Sequence, residues 1–195
     1  MAQKNQLTTA DHLDFEEFKR FLNCLHEDKL YLWELYARVS FYTACRAYDV
    51  LKLRWIDILD KQEVIVCEKK THKKRKIWFT ARVRDKITSL WKLLGQPNTA
   101  LHIFLSEKCG EPYSIQFVNR MLKRFKYKYA LNIGNFSTHT FRKTFGRYVY
   151  DENGHSAESL MLLNKILNHS NLQVTKTYIG ITQDEIDNIY KSIKI

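Results

Sequence analysis

A chain of 195 residues with 45% hydrophobic content is long enough to bury a proper core, and that content argues against disorder. With 32 Lys and Arg against 21 Asp and Glu, the formal charge of +11 creates a field that attracts polyanions before any specific contact forms, pointing to nucleic acid as partner. The N-terminus lacks a basic-then-apolar leader, no run of about 18 apolar residues could cross a bilayer, and cysteines 24, 45, 67 and 109 lack the close spacing of a zinc or redox site, so a cytoplasmic protein with ordinary buried thiols is expected.

Residues 1–12 read as a linker-like segment. Asp14 with Glu17 three positions on is a helix-start signal, and Phe15, Phe18, Leu22 and Leu25 repeat at helical spacing, predicting a surface helix with one buried stripe. The segment from Leu30 to Cys45 is apolar on nearly all sides, which suits a central helix delivering Arg46 to the middle of the protein. Arg46 and Asp49 then share a face, so that the acid supports the guanidinium or makes a simple helical ion pair with it. From Ile56 to Phe79 the pattern changes to short apolar runs around a highly charged turn, a small antiparallel sheet. Alone, such a turn signals solvated charge or an address label. At the tip of a hairpin, its Lys69, His72, Lys73 and Lys74 can reach a DNA groove.

Val83, Ile87, Leu90 and Leu94 predict a structural helix stopped by Gly95 and Pro97. Ser114 caps a helix with Val118, Met121, Leu122, Phe125 and Tyr129 inward, leaving Arg120, Lys123, Arg124, Lys126 and Lys128 on its other face. A charged outer face is ordinary, but this one carries almost no acids, which makes Arg120, Lys123, Arg124 and Lys128 candidates for phosphate and groove contacts. A helix from about Thr138 to Asp151 projects His139 and Arg142 together, and another begins at Ser156 and ends at Asn168, with His169 just beyond. Thr182 and Glu185 make a capping box before a stripe of Ile186, Ile189, Tyr190 and Ile193, a terminal helix over about 182–195 that needs a partner surface.

The informative feature is an ordered set: Arg46, then His139 and Arg142 on one turn, then His169, then Tyr178. Any one of these is weak evidence alone. An HxxR arises by chance, a tyrosine is usually a packing residue, and a histidine past a helix end can simply cap carbonyls. Together, two arginines, two histidines and a tyrosine can hold a phosphodiester, move its protons and attack it, with no metal or other cofactor required.

Four blocks extend this set into a family resemblance covering most of the chain from about Leu13. They are Ala44-Cys45-Arg46-Ala47-Tyr48-Asp49-Val50-Leu51-Lys52-Leu53-Arg54-Trp55; the hairpin from Val64 through Glu68-Lys69-Lys70-Thr71-His72-Lys73-Lys74 to Phe79; Thr138-His139-Thr140-Phe141-Arg142-Lys143-Thr144-Phe145; and Ile166-Leu167-Asn168-His169-Ser170 running on to Thr177-Tyr178. The chain resembles the tyrosine recombinases, or phage-type integrases. Asn168 stands where that family usually has glycine, and asparagine is the residue next most tolerant of a left-handed backbone.

The resemblance implies a mainly α fold with a small antiparallel β-sheet, the recombinase catalytic domain, and site-specific cleavage and rejoining of double-stranded DNA through a 3'-phosphotyrosyl intermediate. It makes Tyr178 the nucleophile, Arg46 and Arg142 the phosphate clamps, His139 the proton acceptor and His169 a donor to the phosphate. Lys70 is the matching general acid, with Lys73 as alternative, and Asp49 a supporting residue. It further implies a tetramer on paired sites, a monomer off DNA, and a terminal helix docked on a neighbouring protomer. An N-terminal DNA-clamping domain usual in the family does not fit within this length, so the sequence reads as a catalytic fragment or as a minimal recombinase similar to the small invertases of fimbrial promoters. Rival readings are a type IB topoisomerase, with the same chemistry, and a catalytically idle DNA-binding regulator on this fold.

Overall fold

The computed structural model describes residues 10–70, 73–106, 110–180 and 191. Among these, nine helices and one two-stranded antiparallel hairpin follow the order α1 (Phe15–Glu27), α2 (Tyr31–Thr43), α3 (Ala47–Leu51), α4 (Trp55–Ile58), β1 (Glu63–Cys67), β2 (Lys74–Trp78), α5 (Ala81–Leu93), α6 (Ile115–Lys128), α7 (Thr140–Glu152), α8 (Ala157–Leu167) and α9 (Leu172–Ile179). The mainly helical class with a small sheet is as expected. Of the predicted helix 182–195, only Lys191 is among the described residues.

Helix α2 runs through the centre because its surface is apolar almost all round: Leu35, Tyr36, Ala37, Val39 and Phe41 are all buried. It packs against α1, α5 and α7. Its one fully buried acid, Glu34, is held by His26 of α1, Arg38 one turn on and Lys86 of α5, so the polar group that such a helix must bury is paired from three sides. Phe21, Tyr36 and Phe141 meet across α1, α2 and α7 with ring centroids 5.9 and 6.2 Å from that of Phe141, fixing α7 to the centre. A second, smaller core gathers Ala44, Tyr150, Leu160, Leu163, Leu167, Tyr178 and Ile179, where α8 and α9 lie on α7.

Three expectations need correction. Asp14 does occupy the cap position of α1, but its side chain makes no cap bond, and Glu17 is drawn instead to Arg20 at 2.7 Å and to the amide of Asn132. The central helix stops at Thr43, two residues before Cys45: Ala44 turns left-handed at φ 47°, while the Thr43 hydroxyl donates to the Val39 carbonyl and accepts from the Cys45 amide. Arg46 therefore stands in a break between helices, as the cap residue of α3. The sheet is also shorter than Ile56–Phe79, because Trp55–Ile58 forms a helical turn closed by the Asp57 carboxylate on the Arg54 amide. Among the described residues of this segment only Glu63–Cys67 and Lys74–Trp78 pair, with Val64 opposite Ile77 and Cys67 opposite Lys74.

Candidate active site

The site forms where four chain breaks converge: the end of α2, the tip of the hairpin, the start of α7 and the end of α8. Helix ends leave carbonyls without partners, and here arginines supply them. Arg142, 3% exposed, donates from Nη1 to the Ala44 carbonyl and from Nη2 to the Leu167 carbonyl, tying the end of α2 to the end of α8. Arg75 on β2 donates to the Thr43 carbonyl at 2.9 Å and to the Ala44 carbonyl at 3.4 Å. The turn that carries Arg46 is thus held from two sides.

Arg46 itself is oriented by Glu68, not by Asp49 as expected. Glu68 is fully buried, its Oε2 lies 2.6 Å from Arg46 Nη1 and accepts from Asn168 Nδ2 at 3.1 Å, and its Oε1 accepts from Arg75 Nη1 at 3.2 Å. Its amide donates to the Lys73 carbonyl, closing the base of the hairpin tip. Asp49 faces the hairpin instead, accepting the Lys69 amide on Oδ1 at 3.1 Å, and burial pushes its carboxyl above the usual carboxylate range. The helical spacing of Arg46 and Asp49 does not bring them together because Arg46 precedes the helix, with its backbone extended at ψ 149°. Glu68 was missed in the sequence, since its role depends on a contact with a residue 22 positions away.

The histidines are poised to be neutral. His139 occupies the cap position of α7 without a side-chain cap bond and is half-buried; burial lowers its pKa first, and the charges of Arg142, Lys143 and Arg46 lower it further. His169, half-buried, is pulled down to about 4 by burial and by the charges of Arg142 and Arg46. Its ring meets Tyr178 edge-on with centroids 4.8 Å apart, and its Nδ1 lies 3.1 Å from Thr175 Oγ1. Asn168 before it adopts φ 50°, ψ 49°, the left-handed conformation for which asparagine stands in for glycine.

Tyr178 sits on the last turn of α9, 7% exposed, with the Arg142 guanidinium 6.0 Å and the Lys143 ammonium 5.2 Å from its ring centre. Among the described residues its hydroxyl has no hydrogen-bond partner of proper geometry. Burial raises the phenol pKa, and the charge of Arg142 offsets only part of that, so the hydroxyl stays protonated until a base takes its proton. Gly146 permits this placement: a Cβ there would lie 2.8 Å from Ile179 Cγ2, so α9 approaches α7 only because the side chain is missing.

The lysines and outer cations divide. Lys70 is exposed at the hairpin tip, whereas Lys73 Nζ donates to Asn168 Oδ1 at 3.3 Å, beside His169. Lys69 lies 4.1 Å from the Tyr48 ring centre, Lys74 is exposed on β2, and His72 lies outside the described residues. On α6, Arg120, Lys123 and Arg124 are exposed together. Lys128 instead pairs at 2.6 Å with Asp28, the residue that caps the end of α1, and Lys126 donates to the Gly134 carbonyl. Among the described residues no group of three His, Cys, Asp or Glu gathers as for a metal, and no helix is long and apolar enough to cross a membrane.

Residues 11–185 match the profile of the Phage integrase family. The chain is 32% identical over 178 residues to a Bacillus subtilis (strain 168) protein named "Probable integrase/recombinase YoeC", covering 88% of this chain and 93% of that one. In structure it resembles XerH site-specific recombinase bound to its difH substrate, with a TM-score of 0.71 at 17% identity, over 95% of this chain and 54% of that one. It also resembles the lambda integrase catalytic core, with a TM-score of 0.60 at 19% identity, over 82% of this chain and 91% of that one. The chain therefore spans little more than half of the XerH chain and nearly all of the lambda core.

Proposed function

The chain belongs to the phage integrase family, and on that premise we propose that it is a site-specific recombinase that cuts and rejoins double-stranded DNA through Tyr178. The observation that carries this reading is the clustering of Arg46, Arg142, His139 and His169 about one buried tyrosine, with each histidine biased toward its neutral form. Arg46 and Arg142 take the non-bridging oxygens, where permanent charge balances the pentacoordinate state. Neutral His139 accepts the phenolic proton as the Tyr178 oxygen bonds to phosphorus, and His169 donates a hydrogen bond to the phosphate.

The bond from phosphorus to the 5'-oxygen breaks, and a hairpin lysine delivers the proton that this oxygen needs. Lys70 fits the motif; Lys73 is bonded to Asn168, the neighbour of His169. The phosphotyrosyl linkage keeps the energy of the broken bond, so a 5'-hydroxyl from a second strand reverses the step without ATP. Lys69, His72, Lys73 and Lys74 at the hairpin and Arg120, Lys123 and Arg124 on α6 would contact the duplex, with Lys128 available once Asp28 releases it. A tetramer on paired sites, a monomer off DNA, and docking of residues 182–195 on a neighbouring protomer complete the proposal.

The test is incubation with nicked suicide duplexes bearing the attachment sequence. A covalent adduct at Tyr178, with strands joined between two different duplexes, is expected. Rejoining only of the original strand would identify a topoisomerase, and absence of any adduct would leave a DNA-binding regulator.

A further inference from the structure

Thr175 lies within α9, fully buried, one turn before Tyr178, and none of the assigned catalytic roles uses it. Its Oγ1 lies 3.0 Å from Asn164 Nδ2 on α8 and 3.1 Å from His169 Nδ1 in the link between the two helices. An amide nitrogen can only donate, so Asn164 fills one lone pair of the hydroxyl and leaves its single proton to be placed elsewhere. A helical threonine often returns that proton to the carbonyl four residues back, as the buried Thr43 and the exposed Thr177 do here with Val39 and Gln173. Thr175 makes no such bond to a described residue, and His169 Nδ1 is the acceptor within reach.

We infer that Thr175 is a positioning residue for His169: its hydroxyl donates to Nδ1 and so holds the neutral ring in the tautomer that carries its proton on Nε2. A histidine that donates to a phosphate oxygen needs that proton on the nitrogen away from its support, and the other tautomer would present a lone pair to an anion. The relay matters because burial and the charges of Arg142 and Arg46 favour the neutral ring, in which the choice of tautomer, not the charge, decides whether it donates. The backbone reinforces the geometry: the His169 amide donates to the Asn164 carbonyl at 3.1 Å, so one residue of α8 anchors both the main chain of His169 and the hydroxyl that orients its ring. The inference rests on the reading of His169 as a phosphate donor.

The experiment uses the full chain, labelled with 15N-histidine and free of DNA, at neutral pH. Long-range proton–nitrogen correlation assigns the tautomer, and the His169 signals are identified by their loss in His169→Gln. A non-protonated Nδ1 with a protonated Nε2 is expected in the wild type and in Thr175→Ser. Thr175→Val should release the ring to a mixture and lower the single-turnover rate of adduct formation at least about tenfold, the low end of the loss when the hydrogen-bond partner of a metal-ligating histidine is removed, without changing DNA affinity. Recovery of most of the rate in Thr175→Ser would assign the effect to the hydroxyl. A wild-type ring protonated on Nδ1, or a Thr175→Val protein with unaltered tautomer and rate, overturns the inference. The wild-type tautomer depends only on the wild type and His169→Gln, so that arm decides even if valine disrupts α9. A wild type that forms no adduct would instead defeat the recombinase reading, and the tautomer measurement would still judge the relay.

Discussion

Glu68 Oε2 lies 2.6 Å from Arg46 Nη1 inside the protein, and the same carboxylate reaches Arg75 and Asn168. One buried acid thereby ties the hairpin to the turn after α2 and to the end of α8. Removing one partner of such a buried pair strands the other charge and costs about 3 kcal/mol or more. Glu68→Gln is expected to lower the melting temperature and to slow cleavage by about a hundredfold, the scale of an ångström-sized misplacement of a positioning group. Asp49→Asn, which leaves the Glu68 pair intact, should do much less. Equal damage from both substitutions in single-turnover assays would return the orienting role to Asp49.

Tyr178→Phe should abolish the covalent adduct while stabilising the protein. Its hydroxyl is buried with no partner of proper geometry among the described residues, and leaving such a group unsatisfied costs about 1–3 kcal/mol that phenylalanine would not incur. For a domain of this size each kcal/mol moves the melting temperature about 2–4 °C. Calorimetry of the variant decides: a lower melting temperature would mean that the hydroxyl is bonded in solution, most simply to Arg142.

The histidines predict an acid limb. His139 and His169 have folded pKa values below their unfolded 6.5, so folding favours their neutral forms. That contribution to stability is present above pH 6.5 and is lost as pH falls, for His169 over the window from 6.5 to about 4. Urea melts across that window should show declining stability, flatter in His169→Gln. A slope unchanged by that substitution would indicate that the ring titrates normally.

Gly146→Ala places a methyl group 2.8 Å from Ile179 Cγ2. Overpacking of this kind costs about 1–3 kcal/mol, partly offset by the gain of about 1 kcal/mol in helix propensity, so the stability change should be small while α9 and Tyr178 shift. Cleavage should fall, and adding Ile179→Ala, which removes the opposing methyl, should restore part of it. Failure of the double variant to recover would place the defect elsewhere than this contact.

The hairpin lysines can be separated chemically. A 5'-bridging sulfur leaves without a proton, so this substrate should rescue loss of the general acid and nothing else. Rescue of Lys70→Ala is expected from the motif, and rescue of Lys73→Ala would move the role to the residue bonded to Asn168.

Local patterns in the sequence determined much of this protein. The helical stripes of α1, α5 and α6 are periodic, the serine caps at Ser114 and Ser156 accept from the third amide as such caps do, and the blocks around Arg46, His139 and Tyr178 carry the family resemblance through residue type and order. The left-handed turn at Asn168 was legible too, because few residues tolerate it. Only the tertiary structure decided what supports these groups. Glu68 over Asp49, the arginines on the carbonyls of Ala44 and Leu167, the pairing of Lys128 with Asp28, and Thr175 behind His169 all depend on which helix ends meet in space. Periodicity reports how one segment meets solvent or core; the partner of a buried charge is set by burial and by the unpaired carbonyls of distant helix ends, which no local spacing encodes.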